Sequence, residues 1–180
     1  MPEVKNPHDK IFRKALDKKE NAIQIISNFL NREEIINTSE IEKYNSSYIS
    51  ERLKNSEADV VYKIKNENVF FLIEHQTKID YSMPYRILKY ELEIIDSVII
   101  DTKENYKNKE YKYPVVIPII LYTGNQKWNA ELDLKRAQLK WNKYKGTELS
   151  KYNVLDVNNI SNEKLLKEPS IISKLMLIEK

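Results

Sequence analysis

A chain of 180 residues, 41% hydrophobic and 32% charged, suits one compact domain (1–180) that buries roughly 70% of its unfolded surface. It has no cysteine, which excludes a disulfide framework and a thiolate metal site, and only two glycines, which exclude Gly-rich phosphate loops of the Walker A or Rossmann kind. A net charge of +3 permits nucleic-acid binding without demanding it, no apolar run approaches the ~20 residues of a membrane span, and Met1–Pro7 lacks a signal peptide's apolar centre, so a cytoplasmic protein off the membrane is expected.

Asp9 to Asp17 reads as a first helix, with Phe12, Ala15 and Leu16 on one face. Asp17-Lys18-Lys19-Glu20 has the form of a capping box for a second helix running to about Asn31. Ile23, Ile26 and Leu30 recur there at helical spacing. Glu34 to Tyr44 is ambiguous and is a place for an edge strand, and Ser47 to Lys54 for a short helix or turn. Two β-prone runs follow, Ala58-Asp59-Val60-Val61-Tyr62 and Val69 to Glu74, joined by the turn-forming Lys65-Asn66-Glu67-Asn68. Ser82 to about Thr102 is the clearest helix, with Ile87, Tyr90, Ile94, Ser97 and Val98 on one face and Pro84 in its first turn. Tyr106 to Tyr113 is a lysine-rich loop. Pro114 to Leu121 reads as a strand whose two prolines argue for an edge position or a bulge at Pro118, closed by the turn Thr123-Gly124-Asn125. Tyr152 to Val157 is a candidate last strand, and Ile160 to Glu179 is helical with a break at Pro169. A crossover through the Ser82 helix sets the Pro114 strand parallel to the Glu74 strand. The outline is three-layered α/β with a mixed sheet.

The chemistry lies in the hairpin. It carries an acid on each arm, Asp59 and Glu74, and can bring two carboxylates within reach of one hard cation. Magnesium takes oxygen ligands at roughly 2.0–2.1 Å, commonly one or two carboxylates plus waters. That is the minimal equipment for metal-assisted phosphodiester hydrolysis. An acid at a strand end is more often a solvated surface group. Here the run before Glu74 reads as buried on both faces, so its carboxylate needs a partner. Alternation puts Glu74 and Gln76 on one face and His75 on the other. His75 therefore reads as a packed, hydrogen-bonded histidine rather than a general base. His8-Asp9 does not make a His-Asp phosphohydrolase, since the chain has two histidines in all.

Asp59, Glu74-His75-Gln76, Met83-Pro84-Tyr85-Arg86 with Tyr90, and Pro118 to Gly124 with Trp128 occur in this order, after an opening Asn6 to Arg13. Together they resemble the recombination-promoting nuclease/putative transposase (Rpn) family of the PD-(D/E)XK nuclease superfamily, from about His8 to about Asp156. The resemblance implies a restriction-endonuclease-like core over about 8–157, with 160–180 a C-terminal helical segment. It implies that Asp59 and Glu74 bind the divalent cation, Mg2+ or Mn2+, with the backbone carbonyl of His75 as a third ligand. Gln76 stands where the wider superfamily has lysine. An amide orients water without carrying charge, and this branch itself uses glutamine. Lys78 lies on the same face if the strand extends that far; a solvated lysine is its plainer reading.

Asp9 has two readings, a helix N-cap and a first-helix acid that approaches the metal from the side. Arg86 and Tyr90 lie one turn apart, placed either to contact phosphate or to brace Glu74. Lys135 to Lys145 holds five basic residues and no acid, among them Lys140, Lys143 and Lys145, interleaved with Trp141. It reads as a nucleic-acid grip or as a solvated basic face. The expected function is a magnesium-dependent DNA endonuclease, tied by resemblance to recombination or mobile elements. The alternatives are a DNA-binding or assembly module on a nuclease fold with little catalysis, and a structural interaction domain. A homodimer is a further expectation, since enzymes that cut two strands often pair.

Overall fold

In the computed structural model the chain is described over residues 7–29, 41–44, 60–103, 105–139, 143, 153–168 and 170–180, with 7–10, 28 and 29 described by backbone alone. Five strands form one sheet in sequence order: β1 (Ile41–Lys43), β2 (Val60–Ile64), β3 (Val69–Gln76), β4 (Val115–Tyr122) and β5 (Asn153–Asp156). β1–β2 and β2–β3 are antiparallel, β3–β4 and β4–β5 parallel. The sheet is mixed and flanked by helices, the restriction-endonuclease-like α/β arrangement expected.

Strand alternation divides the core in two. Val60, Tyr62, Ile64, Phe71, Ile73, Ile119, Leu121 and Leu155 face one side. There they meet Phe12, Ala15 and Leu16 of α1 (Pro7–Leu16), Ala22 of α2 (Lys19–Gln24), and the π-helical turn Ile25–Phe29 that continues α2. The C-terminal helices α5 (Asn162–Lys167) and α6 (Ile171–Glu179) add Leu165, Ile172 and Met176 to the same layer. Val61, Phe70, Leu72, Ile120 and Tyr122 face the other side. They pack on Met83, Ile87, Tyr90, Ile94 and Val98 of α3 (Met83–Thr102), the crossover helix that makes β3 and β4 parallel. A short α4 (Leu134–Ala137) follows β4. Among the described residues no helix is long and apolar enough to cross a membrane.

Three local expectations are corrected. β4 is no edge strand. It lies between β3 and β5, with Pro118 opposite Leu72. The Thr123 N–H points to β3, bonding the Gln76 carbonyl at 3.0 Å. By alternation the N–H that Pro118 lacks belongs on the β5 side. There the described part of β5 begins at Asn153, opposite Ile119, and the Pro118 carbonyl is met by the Asn153 side-chain amide at 3.0 Å. The ladder thus loses no described bond to the proline. Second, Asp17 caps nothing. Lys18 is the N-cap of α2 without a side-chain bond, and Asp17 instead pairs with Lys43 of β1 at 2.5 Å. Third, Asp9 is not the N-cap of α1, which begins at Pro7 and holds residue 9 in its first turn. The expected short helix at 47–54 lies outside the described residues.

Candidate functional site

β3 is buried along nearly its whole length and ends in Glu74-His75-Gln76, where the parallel strands deliver their C-terminal ends. Glu74 is fully buried at 0% exposure. Its face is that of Phe70 and Leu72, against α3, as alternation requires. Gln76, on the same face, donates its amide Nε2 to Glu74 Oε1 at 3.0 Å. Arg86, in the first turns of α3, donates Nη2 to the same oxygen. Its Nη1 reaches Asp80 Oδ2 at 2.6 Å, and Nε and Nη2 lie 3.3 and 3.2 Å from the Tyr90 hydroxyl. Arg86 and Tyr90 therefore brace Glu74, one of the two roles their spacing allowed.

Asp80 did not stand out in the sequence. Its Oδ1 accepts the Ser82 N–H at 2.8 Å and the Ser82 hydroxyl at 2.6 Å, so Asp80 fixes how the chain enters α3 while Ser82, the N-cap, makes no cap bond of its own. Asp-x-Ser ahead of a helix is an Asx-turn pattern, which was the available signal. Burial pushes the Asp80 carboxyl up, but hydrogen bonds from Ser82 and Arg86 outweigh it and hold the group below its ordinary value. Burial works against the Arg86 charge, and Glu74, Asp80 and Tyr90 more than offset it, so its proton is held more tightly than usual. Burial and then the Glu74 charge push the Tyr90 phenol up to about 12.

His75 faces the other layer. Its ring stacks on Phe12 of α1, centroids 4.1 Å apart and planes 14° from parallel, and its Nε2 lies 2.9 Å from Thr123 Oγ1. It is a packed histidine, as alternation implied. The Gln76 carbonyl bonds Thr123 on the β4 side, so the His75 carbonyl, one residue earlier, turns to the β2 side. Lys78 is not on β3, which ends at Gln76; it is exposed in the following bend.

Asp59, Lys140, Trp141 and Lys145 lie outside the described residues, as does the side chain of Asp9. Lys143 is exposed. The described part of β2 begins at Val60, paired with Ile73 of β3. Among the described residues no three His, Cys, Asp or Glu side chains are grouped to hold a metal. The donors present are nonetheless of the hard kind: a buried carboxylate, a side-chain amide and a backbone carbonyl at one strand end, with no sulfur in the chain beyond methionine. They fit magnesium or manganese and not a thiophilic metal.

A mixed sheet with helices on both faces and a buried acid near the C-terminal end of its third strand is an α/β arrangement of the restriction-endonuclease-like kind. Residues 6–180 match the family model described as "Putative transposase, YhgA-like", and the chain belongs to that family. Among curated proteins it is similar to the recombination-promoting nuclease RpnD of Escherichia coli O157:H7, 23% identical over 126 residues, which cover 67% of this chain and 46% of the relative. RpnC of Escherichia coli strain K12 is 27% identical over 124 residues, 66% of this chain and 39% of the relative. The chain thus spans less than half the length of either nuclease. The protein named "Putative inactive recombination-promoting nuclease-like protein YjiP", from the same strain, is 22% identical over 95 residues, 49% of this chain and 92% of the relative. No solved structure matches.

Proposed function

We propose that this domain is a metal-dependent DNA endonuclease, with Mg2+ or Mn2+ held by Asp59, Glu74 and the backbone carbonyl of His75. The observation that carries the reading is Glu74: a fully buried carboxylate at the end of β3, oriented by Gln76 and Arg86, in a chain whose relatives are named nucleases. Asp59 directly precedes Val60, and the partner of Val60, Ile73, directly precedes Glu74. A bound cation supplies an activated water and charge neutralisation at the phosphate oxygens. The chain does the positioning. Glu74 is held by two donors on one oxygen. Gln76 spends its amide N–H on Glu74, which turns its carbonyl to the task of accepting from the attacking water. Arg86 offsets the acid's charge, and Tyr90 fixes the guanidinium. DNA is the expected partner, gripped by Lys140, Lys143 and Lys145 with Trp141. Recombination or mobile-element biology follows from the relatives' names alone.

A second reading has its own support. Arg86 sits on the acid that a cation needs, and one relative is named "Putative inactive". Fold does not guarantee activity, and a DNA-binding or assembly module with little catalysis would keep this geometry. Glu74→Ala separates the two when both cleavage and DNA binding are measured. The nuclease reading expects cleavage abolished with binding retained, and cleavage abolished by chelator. Undiminished cleavage in excess chelator, or by Glu74→Ala, would sink it.

A further inference from the structure

We infer that Asp80 is a positioning residue for the Glu74 carboxylate: it holds Arg86 by one end, so that a cation arriving at Glu74 can displace the other. This rests on the metal reading above and adds to it a built-in competitor for the cation.

Arg86 spans two acids of different standing. Glu74 is fully buried and fixed on β3, whereas the Asp80 side chain is 26% exposed. Asp80 is nevertheless rigid, because Ser82 occupies its other oxygen with two bonds. The guanidinium gives Nη1 to Asp80 and Nη2 to Glu74, with the Tyr90 hydroxyl on its flank. Two carboxylates and one guanidinium leave the cluster one net negative charge. Arg86 yields by moving, and on leaving Glu74 it keeps Asp80 and Tyr90 and need not return to water. Without Asp80, the guanidinium has a single acid to serve and stays on it. A divalent cation then meets a like charge in contact with its own ligand.

The relay has a signature that a plain field of charges lacks. If Asp80 acts only through its own charge, neutralising it weakens cation binding equally with or without Arg86. If it acts by holding Arg86, its effect disappears when Arg86 is gone. Mn2+ titration by calorimetry on the full chain, with thermal melting in chelator and in Mn2+, reads the cycle. Arg86→Gln is expected to tighten Mn2+ by roughly tenfold, Asp80→Asn to weaken it by roughly tenfold, and the double variant to match Arg86→Gln. Arg86→Gln also melts lower in chelator and gains more from Mn2+ than the native chain does. Where Arg86→Gln does not fold, Arg86→Lys takes its place, since one ammonium cannot span both carboxylates. Mn2+ binding by the native chain with an additive cycle overturns the inference alone. Absence of Mn2+ binding in the native chain and every variant overturns the metal reading and this inference with it.

Discussion

Gln76 and Glu74 lie two residues apart on one face of β3 and are joined by a 3.0 Å hydrogen bond from amide to carboxylate. The Nε2 end of the amide thus serves the acid it orients, and the carbonyl end is the one proposed to serve the attacking water. Glu74→Ala removes a proposed metal ligand and one of the two acids paired with Arg86, so Mn2+ binding and cleavage should both be lost. Gln76→Ala should keep most of the metal affinity and slow cleavage by roughly 10²-fold, the scale of one positioned group. Gln76→Lys should retain partial activity, because its ammonium repels the cation and replaces a planar amide. Cleavage rates at saturating Mn2+ check all three; a wild-type rate in Gln76→Ala would make Gln76 a strand residue and nothing more.

His75 offers the converse case. Its ring stacks on Phe12 and bonds Thr123 in the layer away from Glu74. Only its backbone carbonyl is proposed to serve the metal, and that survives substitution. His75→Leu should cost about 1–3 kcal/mol in denaturant unfolding, because the hydrogen bond and the ring stacking both go. The folded fraction should cleave at close to the native rate. A hundredfold slower reaction at unchanged stability would make His75 a proton carrier after all.

Tyr62 governs alkaline stability. Its buried hydroxyl donates to the Leu16 carbonyl at 2.6 Å, tying β2 to the end of α1. Burial, then Asp17 and Glu20, push its phenol up to about 12 from an ordinary 10.0. The folded state therefore holds this proton more tightly than the unfolded chain does. The resulting stability is fully present below pH ~10 and is lost as pH rises through about 12, in total on the order of 2 kcal/mol. Unfolding midpoints from pH 8 to 12 should fall in that window. Tyr62→Phe should start about 1 kcal/mol lower and fall less steeply.

The basic segment beyond α4 has one described residue among its proposed DNA-gripping side chains, the exposed Lys143. Replacing Lys140, Lys143 and Lys145 by Gln should weaken DNA binding. It should also lower the slope of log affinity against log salt, by about 0.9 for each phosphate no longer neutralised. Fluorescence anisotropy across a salt series measures both. An unchanged slope would assign the segment to the solvent.

Periodicity carried most of the fold. The stripe Ile87, Tyr90, Ile94, Val98 is buried as read, and the alternation of β3 placed Glu74 and His75 on opposite faces correctly. What escaped was set by tertiary partners. Pro118 looked like an edge signal because a sequence does not reveal that β4 lies between two strands, with the Asn153 side-chain amide meeting the Pro118 carbonyl. Asp17 looked like a cap because Lys43, its real partner, belongs to β1. Asp80 was missed because its importance comes from one guanidinium bridging it to Glu74, across the turn between β3 and α3. The proposed metal site was legible only as residue types, and Asp59 lies outside the described residues.

The β2–β3 turn has a reach beyond its size. Asn66 takes a left-handed conformation, φ 62°, and Glu67 N–H closes on the Ile64 carbonyl at 3.3 Å. That small bend sets how far one arm of the hairpin is advanced along the other, from Lys63 opposite Phe70 to Val60 opposite Ile73. One added residue there would shift β2 by a step and turn it over, driving Lys63 into the layer beneath α1 and Tyr62 into the layer beneath α3. The far end of the hairpin would be re-aimed though none of its residues had changed. Spacing is thus inherited separately from chemistry in this fold, and a relative could keep every acid yet lose the site through the length of a distant bend.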